Sequence, residues 1–100
     1  MFHDQERVKF MRTAVAQGVG AVSDLQCQIK DVDVNGLLQH VQIRFNDVDS
    51  ILWSLEAEPR SPSQEAMLLD GVEIILRNAV EQTDNFKKLL DAYGPGCRFD

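Results

Sequence analysis

The sequence predicts an all-α fold, a three-helix antiparallel bundle running up, down and up. Apolar residues recur at alternating steps of three and four along three long segments, the 3.5-residue spacing that lines side chains up on one stripe of a helix. The stretches between these segments are only a few residues long, which forces neighbouring helices to run antiparallel. The third segment also carries start and stop signals at both ends.

Helix one is expected over about 5–31. Its seam is Val8, Met11, Val15, Gly18, Val22, Leu25, Ile29 and Val32, with Asp4 placed to cap the first turn. Gly18 lies within the seam, with Ala14 four residues before it. Two readings stay open: the small side chains admit a second helix closely, opposite something large such as Trp53, or Gly18 and Gly20 kink the helix.

Helix two is expected over about 37–57, on the seam Leu38, Val41, Phe45, Val48, Leu52 and Leu55. A rival pair of strands around Asn35-Gly36 fails at the adjacent pair Leu37-Leu38, and an isolated hairpin is marginal in water. Helix three is expected over 62–93. Ser61-Pro62-Ser63-Gln64 has the form of a capping box, the seam runs Leu69, Val72, Leu76, Ala79, Thr83, Phe86, Leu90 and Tyr93, and Gly94-Pro95-Gly96 ends it. Residues 1–93 thus read as a single helical domain and 94–100 as a flexible tail.

Composition narrows the function. One hundred residues leave room for one domain, and an apolar fraction of 44% is enough to build a core. The net charge of −6 disfavours nucleic acid, since phosphates are repelled. The acidity is uneven: residues 31–60 hold six acidic against two basic residues, whereas residues 1–30 hold three against four. No apolar run is long enough for a membrane span, and no secretion signal is recognisable. Two cysteines, Cys27 and Cys97, are too few for a disulfide framework or a closed zinc site. A reducing, cytoplasmic setting follows as the expectation, with Cys27 packed at a helix boundary and Cys97 a spectator thiol or a link between two tails.

Candidate chemistry is sparse, and no cofactor is expected. His3 and His40 have no sequence reason to lie beside a nucleophile, and carboxylates two apart, such as Asp47 with Asp49, point to different faces of a helix. Gly18-Val19-Gly20 lacks the preceding strand and the third glycine of a nucleotide cradle. Asp31-Val32-Asp33-Val34-Asn35-Gly36 resembles the opening of an EF-hand calcium loop, with Asp31, Asp33 and Asn35 at the first three ligand positions. That resemblance implies a calcium-responsive helix-loop-helix over 31–42. The sequence departs from the family at the twelfth position, where Gln42 replaces the bidentate glutamate. The competing reading makes Asp31 and Asp33 solvated turn residues and has Asn35-Gly36 break helix one and start helix two.

The remaining signal is a surplus of apolar residues. Eight of the eleven residues of Ala66–Leu76 are apolar, more than one neighbouring helix can cover, unless helix three is the central helix of the bundle. On helix two, Ile43, Ile51 and Trp53 lie outside the seam. The reading is therefore a small acidic protein-binding module, not an enzyme, acting as a regulator, an inhibitor of anti-activator type, or an adaptor or chaperone. Ile43, Ile51, Trp53, Met67, Ile74 and Ile75 would supply the apolar contact, Asp47 and its acidic neighbours a bias toward basic partners, and homodimerisation one use of the surplus.

Overall fold

A computed structural model of the chain describes residues 5–58 and 60–93. Three helices, α1 (Gln5–Gln28), α2 (Val32–Ala57) and α3 (Pro62–Tyr93), each pack against the other two, and no strand occurs among the described residues. The result is a rod of 49 × 18 × 17 Å. Its length is that of α3 alone, since 32 residues rise about 48 Å.

The seams form the core as the spacing requires. Val8, Met11, Val15, Val22, Leu25 and Ile29 meet Leu38, Val41, Phe45, Val48, Leu52 and Leu55, and both sets meet Leu69, Val72, Leu76 and Ala79. Thr83 is buried and satisfies its hydroxyl by donating to the Ala79 carbonyl at 2.8 Å. Glu65 extends the buried line by one turn, which the apolar pattern did not suggest. Tyr93 departs the other way: the seam expectation placed it in the core, yet it lies exposed at the last residue of α3.

Gly18 resolves in favour of close approach. Helix α1 is continuous through Gly18 and Gly20, and a Cβ added at Gly18 would collide with three ring carbons of Phe45. The large residue opposite is therefore Phe45 and not Trp53. At Gly20 an added Cβ meets open space, so that glycine has no packing role.

The first connection differs from expectation. Helix α1 stops at Gln28, three residues early, and α2 begins at Val32, five residues early. The cause is the side chain of Asp31, which accepts hydrogen bonds from the backbone N–H groups of Asp33 (3.0 Å) and Val34 (3.1 Å) and so caps α2. Asn35 and Gly36 lie within the first turns of α2 and break nothing. The Asn35 amide donates to the carbonyls of Ile29 and Asp31, fastening the new helix to the end of the old one. Val32, assigned to the first seam, is 83% exposed as a result.

The second connection agrees with the sequence. Gln64 N–H donates to the Ser61 hydroxyl at 3.3 Å while the Gln64 side chain accepts from Ser61 N–H at 3.4 Å, the reciprocal pair of a capping box. Asp4, His3, the Gly94-Pro95-Gly96 stop and the tail carrying Cys97 lie outside the described residues. Cys27 is exposed, not packed at a boundary.

Candidate functional site

The surplus apolar side chains fall in several places. At about 100° per residue, the line opposite Glu65, Leu69, Val72 and Leu76 passes through Met67 and Ile74, seven residues apart. Met67 is 73% and Ile74 70% exposed, and between them Gly71 faces open space. The greasy part of α3 is therefore not absorbed by a central position in the bundle.

This outer stripe has two unlike flanks. On one side Asp70 and Glu73 face α1, where the Arg7 guanidinium donates to Asp70 at 2.7 Å and to Glu73 at 3.2 Å. The hydrogen bond to Asp70 above all holds Arg7 above its ordinary pKa, against partial desolvation that lowers it; the negative charge of Glu73 also raises it. Arg77 pairs with Glu73 one turn back, at 3.6 Å. On the other side Leu68 and Ile75, both exposed, lie on the helical row that continues to Asn78 and Gln82, which Arg44 of α2 holds at 3.0 and 3.1 Å.

The other expected contact residues are not joined to this stripe. Ile51 is half-buried and packs against the core. Ile43 and Asp47 are exposed one turn apart on α2. Trp53 is 63% exposed at the junction of α2 with α1, where the Arg12 guanidinium lies 5.4 Å from its ring centroid and pairs with Glu56 at 2.8 Å. Arg12 Nε is buried there with no hydrogen-bond partner.

A feature the sequence reading missed is a groove of about 780 Å³ between α1 and α3. Gly18 and Leu76 line it above the fully buried Phe45 ring, its α1 wall is Phe10, Ala14 and Ala21, and its α3 rim carries Glu81, Asp84, Lys87 and Lys88. The signal was available in the small residues Ala14, Gly18 and Ala21 at steps of four and three, with Phe10 off the seam. A smaller groove of about 420 Å³ between α2 and α3 includes His40 and Leu89.

The segment that resembles the opening of a calcium loop is folded as a helix start. Residues 32–42 are helical, Asp31 is engaged as the cap, and Asp33 and Asn35 sit in the first turns of α2, where the family has an open loop. Among the described residues no three His, Cys, Asp or Glu side chains gather as a metal set, and no helix is long and apolar enough to cross a membrane. Comparison with family models, with curated proteins and with solved structures finds no match to this chain.

Proposed function

We propose that this protein works by binding another protein chain through the outer face of α3, without turning over a substrate. The supporting observation is that Met67 and Ile74 point away from a core that is complete without them. Burying each of two such side chains is worth roughly 1.5–3 kcal/mol, so a partner covering both gains several kcal/mol at no cost to the fold. Such a module acts by occupancy, as a regulator, anti-activator, adaptor or chaperone in a reducing cytoplasm.

Capture from native lysate tests this, with the intact chain and an Ile74→Asp variant as baits and circular dichroism as the check on folding. A chain retained by the first bait and lost by the second, whether foreign or a copy of the bait, is the expected result. Equal retention by both baits, or no retention by either, overturns the proposal.

A further inference from the structure

We infer that the occupant of this face is a second copy of the chain, docked antiparallel along α3 with the two-fold axis between Val72 and Glu73. The inference rests on the protein-binding reading and names its partner. Met67, Gly71, Ile74 and Asn78 step by four, three and four, so they form a short heptad seam on the side of α3 opposite the core seam. An antiparallel pairing about that axis sets Ile74 of each copy against Gly71 of the other, and Met67 against Asn78. Ile74 projects, being 70% exposed, and the space over Gly71 is empty; the knob and the gap are 1.5 residues either side of the axis.

The flanks agree with this register. In an antiparallel pair each flank meets its own kind: Leu68 meets Ile75 on the apolar side, and Asp70 meets Arg77 on the charged side, each contact occurring twice by symmetry. The Asp70 and Arg77 side chains remain 70% and 78% exposed despite their ties to Arg7 and Glu73, so both carry charge into the interface. A parallel pair fails this test, because it sets Asp70 against Ile75. The face is thus self-complementary at Ile74 with Gly71, Leu68 with Ile75 and Asp70 with Arg77, while Met67 meets the Asn78 amide that Arg44 holds.

Sedimentation velocity on the full chain in reducing buffer tests the pairing, with Ile74→Asp, Gly71→Leu and Arg77→Asp as variants. A concentration-dependent dimer is expected, with a dissociation constant on the order of micromolar for so short a contact. Each variant should weaken it at least about tenfold. Gly71→Leu is the informative one: the added side chain meets nothing within its own chain, so folding is retained while the seat for Ile74 is filled. Mixing Arg77→Asp with Asp70→Arg should recover a heterodimer that neither forms alone as well. A wild-type chain that stays monomeric to about 1 mM, or a dimer indifferent to Gly71→Leu and Ile74→Asp, overturns the inference. A monomer that still retains a foreign protein through Ile74 overturns the pairing alone; a monomer that retains nothing overturns the binding reading with it.

Discussion

Phe45 is the largest of the fully buried side chains, and its ring ends in the notch that Gly18 leaves in α1. A methyl group at Gly18 has to displace an aromatic ring packed on all sides, so Gly18→Ala should destabilise the protein by about 1–3 kcal/mol in urea melts. Phe45→Leu should lower the penalty of Gly18→Ala, giving a favourable coupling in a double-mutant cycle. Gly20→Ala should do the reverse and stabilise by about 0.5–1 kcal/mol, because nothing surrounds that position and alanine is the better helix former. The close approach at Gly18 was legible in the seam. Its partner was not, since which aromatic lies opposite depends on the register of α1 against α2, and that is set by where the connection falls.

The helices themselves were legible because each has one dry stripe, and 3.5-residue spacing survives errors of a turn at either end. The boundary of α3 was fixed in advance by the mutual bonds of Ser61 and Gln64. The boundary of α2 was misread: Asn35-Gly36 has the composition of a turn, but the Asp31 carboxylate takes up two backbone N–H groups earlier and starts the helix there. Asp31→Ala should therefore cost about 0.5–2 kcal/mol of stability. Because that carboxylate is engaged as a cap, millimolar calcium should leave the melting temperature of the wild-type chain unchanged. A calcium-dependent rise abolished by Asp31→Ala would restore the loop reading.

At the scale of the whole molecule, the exposure of Met67 and Ile74 was legible in the sequence and the packing of Ile51 against the core was not. Helical angles separate Met67 and Ile74 from the core without knowledge of the neighbours, whereas the fate of Ile51 and Trp53 depends on which side α1 and α3 occupy. If α3 pairs with its own copy, the melting temperature of the wild-type chain should rise with protein concentration and that of Gly71→Leu should not. Trp53, held by Arg12 at the junction of α1 and α2, stands clear of that contact, so its emission should stay constant across the same range.

The alternation of directions has an electrical consequence. Arg7 near the start of α1 pairs with Asp70 and Glu73 in the first half of α3, so these two helices point the same way and α2 alone opposes them. Aligned peptide units leave roughly half a unit charge of each sign at a helix's ends, so a single rod keeps the moment of one helix uncancelled over most of its 49 Å. A two-fold axis perpendicular to the rod removes every contribution along its length, from backbone and side chains alike. A lone rod therefore aligns its length with an applied electric field, whereas an antiparallel pair has no permanent moment along its length to align, and the electric birefringence per molecule should fall as chains associate.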